Sequence, residues 1–157
     1  KGYAGAHFVV GMGETEKEMC EAIQKTRDMS GRTHLFSYFP EEGSAMNNHQ
    51  PPPMDQYRRI QLARYLIDEA LSRSDRFTYN EAHQIDNYNL PESDLNSIID
   101  GGEPFRTSGC SGYDGVVACN RPYGNSRPGP DIRNFPFAPL ISDISHIRKQ
   151  MHLEKRN

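Results

Sequence analysis

The spacing of apolar positions changes period twice within the first forty residues. Ala4 to Val10 is a short, nearly continuous apolar run, which predicts a buried strand. Gly11-Met12-Gly13-Glu14-Thr15 follows, and then Met19, Ala22, Ile23 and Thr26 recur at helical spacing. Thr15 and Glu18 have the spacing of a capping box, in which the threonine oxygen accepts from the backbone N–H three residues on while the glutamate reaches back. A helix is therefore predicted to start here, with Gly31 as its stop. Over Thr33–Phe39 the period returns to two, Leu35, Ser37 and Phe39 alternating with His34, Phe36 and Tyr38, and Pro40 ends the strand. Strand, helix and strand with a short return predict a βαβ unit, with parallel strands and a right-handed crossover.

Residues 40–54 are dense in turn formers and contain the run Pro51-Pro52-Pro53, which predicts a loop. Asp55 is placed to cap the strongest helix of the chain. Ile60, Ala63, Ile67 and Leu71, flanked by Leu62, Leu66 and Ala70, give that helix a wide apolar face, with Arg58, Arg59, Arg64, Asp68 and Glu69 expected on the other side. A third short strand is expected near Arg76–Tyr79. A short helix is expected over Glu92–Ile99, entered through Pro91 and stopped by Gly101-Gly102. From Glu103 to Pro139 prolines and glycines interrupt every periodicity. Phe105, Tyr113, Val116, Val117, Tyr123, Phe135 and Phe137 nevertheless give this stretch the means for a buried component. A last helix is expected near Ser142–Met151, before a mixed-charge tail. The organisation reads as residues 1–102 followed by an extension over 103–157.

Composition bounds the function. The chain has 157 residues, with 18 Lys+Arg against 21 Asp+Glu and a formal net charge of −3. That is one domain's worth of sequence without the basic excess that phosphate backbones call for, so a nucleic-acid partner is not expected. Runs such as Phe8-Val9-Val10 fall far short of the ~20 apolar residues of a membrane helix, so no membrane partner is expected either. Hydrophobic residues make 35% of the chain, and 13 glycines and 11 prolines imply a modest core with much loop. Three cysteines are an odd number and too few to staple a secreted domain, which favours a cytoplasmic setting with thiols kept for packing or metal. The chain begins at Lys1 and enters its first strand at once, which suggests a fragment of a longer protein.

Two places carry candidate chemistry. Gly11 and Gly13, between strand and helix, let backbone approach a ligand, and backbone donors at the helix start favour a carboxylate or phosphate. The alternative is a sharp turn with an ordinary cap, and the third glycine and distant acidic residue of a dinucleotide fingerprint are missing. The second place is Cys110 and Cys119 in a Gly/Pro-rich loop, with Arg106 to Gly109 before the first and Asn120 to Asn125 after the second. Soft thiolates select zinc or iron–sulfur clusters, and the alternatives are buried free thiols or a redox pair. Cys20 lies beside the apolar stripe of its helix and is expected in the core. His7 and His34 have positions from which they can meet across the two strands. His49, His83, His146 and His152 are expected to be exposed, and the C-terminal basic residues to form a solvated face.

Three ordered stretches, His7 to Thr15, Leu35 to Ser44 and Gln61 to Ile67, resemble the last third of the radical S-adenosylmethionine barrel in its biotin-synthase-like branch. The late-strand motif of that family is matched by Gly11, Gly13 and Glu14, and its Pro-x-x-Gly-Ser/Thr element by Pro40 to Ser44. The stretches Phe105 to Cys110, Cys119 to Asn125 and Arg133 to Phe137 look similar to the C-terminal extension of biotin-synthase-like proteins that include two-component lipoyl synthases. The resemblance implies an α/β fold: the C-terminal part of a partial TIM barrel with parallel strands and its ligand face at the C-terminal strand ends, carrying a Gly/Pro-rich loop extension and a terminal helix. It also implies S-adenosyl-L-methionine as cosubstrate, cleaved by a reduced [4Fe-4S] cluster to a radical that abstracts substrate hydrogen. Val9, Gly11, Gly13 and Glu14 would lie on the adenine side of the cosubstrate, and Cys110 and Cys119 would be ligands of an auxiliary iron–sulfur cluster.

The three-cysteine loop and the early Gly-Gly-Glu motif of the family do not occur in these residues. The main cluster ligands are therefore expected outside this chain, in a missing N-terminal barrel half or a partner subunit. The substrate is expected to be a small molecule or one held on a carrier protein, with sulfur insertion as the reaction. Carbon-skeleton or methylation chemistry on the same barrel, a non-catalytic assembly subunit, and a small zinc-binding fold are the competing readings.

Overall fold

The computed structural model describes residues 4–107, 109–111, 117–119, 129 and 132–153. The chain is α/β, with one parallel two-stranded sheet and, among the described residues, four α-helices. β1 (Gly5–Val10) and β2 (Arg32–Ser37) pair in parallel from Gly5↔Arg32 to Val10↔Ser37, with α1 (Glu16–Asp28) between them and α2 (Met54–Asp68) after. Because strand side chains alternate between faces, Val10 and Leu35 enter a core shared with Met19 and Ile23 of α1 and with Ile60, Leu66 and Ile67 of α2. The opposite face bears Gly5, His7, Val9, His34 and Phe36, and on the β1 side it is open, with Val9 38% exposed. His7 and His34 are register partners and meet edge to face, ring centroids 5.1 Å apart. Gly5 makes room for this, since a Cβ there would lie 3.0 Å from His34 Nε2.

The capping box forms as the sequence predicts: Thr15 Oγ1 accepts from the Glu18 N–H, and the Glu18 carboxylate accepts from the Thr15 N–H at 2.8 Å. The Thr15 N–H, and after it the Thr15 hydroxyl, donate to the Glu18 carboxyl and hold it below its usual range. At the other end of α1 the left-handed residue is Ser30 (φ 64), not Gly31. Ser30 N–H bonds to the Arg27 carbonyl and Gly31 N–H to that of Thr26, closing a Schellman-type end. Gly31 is needed for close approach instead, because a Cβ there would be 2.9 Å from Thr26 Cγ2.

α2 departs most from expectation. Asp55 is not its cap: Pro53 occupies that position without a side-chain cap, and Asp55 sits in the first turn, paired to Arg59 at 3.0 Å. The side expected to face solvent is covered. Arg58 (1% exposed), Gln61 (1%), Arg64 (8%) and Asp68 (3%) are buried together with Tyr57. The Arg58 guanidinium donates to Gln61 Oε1, Gln150 Oε1 and the carbonyls of Ile132 and Arg133, and it lies over the rings of Phe105 and Phe135. Gln61 donates to Asn134, whose amide nitrogen donates to the Tyr57 hydroxyl. Asp68 accepts from the backbone and hydroxyl of Thr33, tying the end of α2 to β2, and burial pushes its carboxyl pKa up. Leu71, expected on the apolar face, follows the helix and is 45% exposed.

β3 (Thr78–Tyr79) is the expected third strand, and it pairs antiparallel with β4 (Ile85–Asn87). The buried Glu16 carboxylate anchors this hairpin by accepting from Ile85 N–H at 2.7 Å, while Arg59 donates to the same carboxylate at 2.6 Å. α3 (Glu92–Gly101) ends on Gly102 at φ 76, and a 3-10 turn at Glu103–Phe105 leads into a parallel bridge between Arg106 and Phe135. β5 (Cys110–Ser111) and β6 (Val117–Cys119) form an antiparallel pair within the excursion between them. Phe105 and Phe135 supply the buried component expected of this region, but Phe137 is 51% exposed; Tyr113, Val116 and Tyr123 lie outside the described residues. α4 (Ile141–Gln150) buries Ile144 and Ile147. Its Arg148, expected on a solvated face, is buried and donates to Asp100 and Asn96 of α3.

Replacing Arg58 by methionine keeps the stem but leaves Gln61 Oε1, Gln150 Oε1 and the Ile132 carbonyl without this donor, while the Arg133 carbonyl keeps Gln61; a loss of about 3 kcal/mol in urea unfolding is expected, and a loss below about 1 kcal/mol would show that the contacts are dispensable. For His34, burial first, then the neighbouring His7, Arg64 and Arg32 push the pKa down to about 4. An unfolded histidine titrates near ~6.5, so protons favour the unfolded chain. Stability should be full above that pH, decline as the pH falls toward 4, and level off below. His34→Gln should flatten this decline in urea midpoints measured across the range.

Candidate functional site

β1 delivers the chain to a turn at its carboxyl end, the end at which ligands bind on parallel α/β sheets. Gly11 and Gly13 take φ values of 98 and 117, which L side chains rarely adopt. The Glu14 carboxylate folds back over the turn and accepts from Gly11 N–H at 2.7 Å and Met12 N–H at 2.9 Å. Further along, Thr15 N–H is taken by Glu18, Glu18 N–H by Thr15, and Lys17 N–H by the carbonyl of His83.

The helix start carries the ordinary cap that is the alternative reading of this turn. The amides at 11, 12, 15, 17 and 18 already have acceptors, and the two that open the turn face a carboxylate of the chain itself. What the turn offers outward is apolar surface and backbone: Met12 is 53% exposed, Val9 38%, and a Cβ on Gly13 would meet nothing within 4 Å. Such a surface suits a flat, weakly charged ring lying against backbone.

The loop after β2 closes over the same turn. Tyr38 N–H donates to the Val10 carbonyl at 2.8 Å, continuing the ladder one residue past β2. The Gly11 carbonyl is 2.9 Å from His49 Nε2, and the Pro52 ring stands where a Cβ on Gly11 would fall, at 2.5 Å. His49 is exposed, as its polar surroundings predict, yet it is joined to the candidate site.

The second place is approached from the same end of the sheet. The Arg133 guanidinium lies 5.5 Å from the ring of Phe39, just past β2, and 5.4 Å from that of Tyr57. Asn134 and Tyr57 both donate to the Leu35 carbonyl at 3.4 Å. Phe135 N–H and carbonyl pair with Phe105 and Thr107, so the excursion leaves and returns through one clamp. Within the excursion Cys110 and Cys119 are direct register partners across β5 and β6. Asn120 to Asn125, which are part of the resemblance, lie outside the described residues. Cys20 is fully buried and its thiol is pushed up to about 12 by burial, so it belongs to the core as expected.

Sequence reasoning missed the residues that root this extension, Tyr57, Arg58, Gln61, Arg133 and Asn134. A signal existed: Tyr57, Gln61, Arg64 and Asp68 recur at three and four residues, a polar stripe at helical period. Among the described residues no group of three or more His, Cys, Asp or Glu converges to hold a metal, and no helix is long and apolar enough to cross a membrane. No family profile, curated protein or solved structure matches the chain.

Both turn glycines are strained for alanine, but only Gly11 also faces Pro52. Gly13→Ala should cost about 1–3 kcal/mol, and Gly11→Ala about 1–3 kcal/mol more from overpacking. Equal losses in urea unfolding would mean that the 40–53 loop does not press on the turn.

Proposed function

We propose that this chain is the C-terminal part of a radical S-adenosylmethionine iron–sulfur enzyme that inserts sulfur into a lipoyl- or biotin-type substrate. β1, α1, β2 and α2 are then two strand–helix units of a partial TIM barrel, and the open sheet face bearing His7, Val9 and Phe36 is the wall that would turn toward the barrel interior. The observation that carries the reading is the Gly11–Glu14 turn at the carboxyl end of β1. Its Gly11 and Met12 amides are closed by Glu14, and Val9 and Met12 leave apolar surface exposed beside its backbone, which fits the adenine side of S-adenosyl-L-methionine better than a phosphate. Val9, Gly11, Gly13 and Glu14 then have distinct tasks: Glu14 shapes the turn, Gly11 allows the loop to cover it, Gly13 leaves space for the ring, and Val9 lines the approach.

Cys110 and Cys119 supply two soft ligands opposite one another in register, in an excursion clamped beside the end of β2. That is half of what a four-iron cluster requires, so the remaining ligands come from elsewhere. The ligands of the main cluster lie outside these residues, in a further part of the protein or a partner subunit. When bound to that cluster, S-adenosyl-L-methionine supplies radical hydrogen abstraction. The residues of this chain bind and orient: the turn holds the nucleoside, and the clamp at 105–107 and 132–135 fixes the root of the cysteine hairpin beside the end of β2.

S-adenosyl-L-homocysteine, a thioether without the sulfonium that a reduced cluster cleaves, is the probe for the turn. The full-length protein is expected to bind it in calorimetry, and Gly13→Val to weaken binding by about tenfold or more, since a branched side chain would occupy the open space. Absence of binding by the unaltered protein would refute the reading. For the cysteines, anaerobic reconstitution with iron and sulfide followed by Cys110→Ala and Cys119→Ala should remove iron beyond that of one four-iron cluster; unchanged iron, or stoichiometric zinc in its place, would remove the auxiliary cluster from the proposal.

A further inference from the structure

Two side chains from different loops hold one peptide plane of the glycine turn. On one edge of the Gly11–Met12 peptide, Met12 N–H donates to Glu14; on the other, the Gly11 carbonyl faces His49 Nε2 at 2.9 Å. A carbonyl can only accept, so this nitrogen carries the proton and donates. The loop that brings His49 here is itself fixed. Tyr38 is bonded at both ends, its N–H to Val10 and its hydroxyl to the Met46 carbonyl, and its ring stands edge-on to the His49 ring with centroids 5.5 Å apart. Pro52 fills the space beside Gly11 from the same loop. An exposed histidine contributes little to a core, so these contacts point to the turn rather than to stability as their purpose.

We propose that His49 is a positioning residue for the nucleoside ligand of the turn. By donating to the Gly11 carbonyl it keeps the Gly11–Met12 peptide in the one orientation that leaves Gly13 open, and it couples the order of the 40–53 loop to ligand binding. The inference rests on the reading of the turn as an adenosyl site and adds a residue from outside the motif on which that reading was built. The ligand class is a nucleoside thioether or sulfonium, recognised by its flat ring.

The test uses the full-length protein with S-adenosyl-L-homocysteine as probe and two readouts, affinity by calorimetry and hydrogen exchange at the Met12 amide without ligand. His49→Ala should weaken binding about three- to tenfold, the range of one net hydrogen bond, and should speed exchange at Met12. His49→Gln, whose amide can donate over a similar reach, should recover most of both. Unchanged affinity and exchange in His49→Ala overturns the proposal, and so does a glutamine variant no better than alanine, because the ring and not the donor would then matter. A wild-type protein that fails to bind the probe overturns the adenosyl reading and the ligand part of this one together. In that case exchange at Met12 still decides whether His49 positions the turn.

Discussion

The burial of the Arg58 guanidinium is the constraint on which the arrangement depends. A charge can be taken out of water only where its donors are met. Here four acceptors come from three places in the chain: α2 itself, the end of α4 and the carbonyls of two successive residues in the returning extension. Phe105 and Phe135 close over it, and Arg133 repeats the arrangement against Phe39 and Tyr57. The extension therefore has one seat on α2. That seat lies beside β2, which brings the root of the cysteine excursion to the strand ends where the glycine turn lies.

The parts of the fold that were legible in the sequence are those whose causes are local. The capping box of Thr15 and Glu18, the two-residue period of β2, the entry of α3 through Pro91 and the apolar positions of α4 each follow from residues within a turn or two of one another. What was not legible depends on partners far along the chain. The polar side of α2 reads as solvent-facing because such residues usually are, and only the acceptors at 132–134 and 150 make it a buried side. Asp55 has the chemistry of a cap but serves Arg59, which Glu16 also holds. β4 carries no strand signal of its own and is fixed by Glu16 reaching Ile85 N–H.

The glycine turn shows the same division. Its location and its glycines are plain in the sequence, and so is the presence of a glutamate. That the glutamate would take two of the turn's own donors is a matter of three residues' geometry, and it supplies from within the chain the carboxylate that such donors favour. The contribution of His49 is further removed, since the intervening loop holds no regular period and the pairing with Gly11 spans 38 residues. The backbone opposition of Cys110 and Cys119 likewise arises from a hairpin too short for any pattern to announce.

The closure of the Gly11 and Met12 amides by Glu14 has a consequence for selectivity. A cell is full of nucleotides that share a nucleoside with any adenosyl compound and differ from it in carrying phosphates. A glycine turn with free amides would welcome all of them. One whose two opening amides are filled by a resident carboxylate meets an incoming phosphate with a like charge and two donors fewer, while a nucleoside without phosphate avoids the charge penalty. In the proposed adenosyl site, Glu14 would then be a built-in competitor, discriminating by charge between compounds that the ring alone could not tell apart.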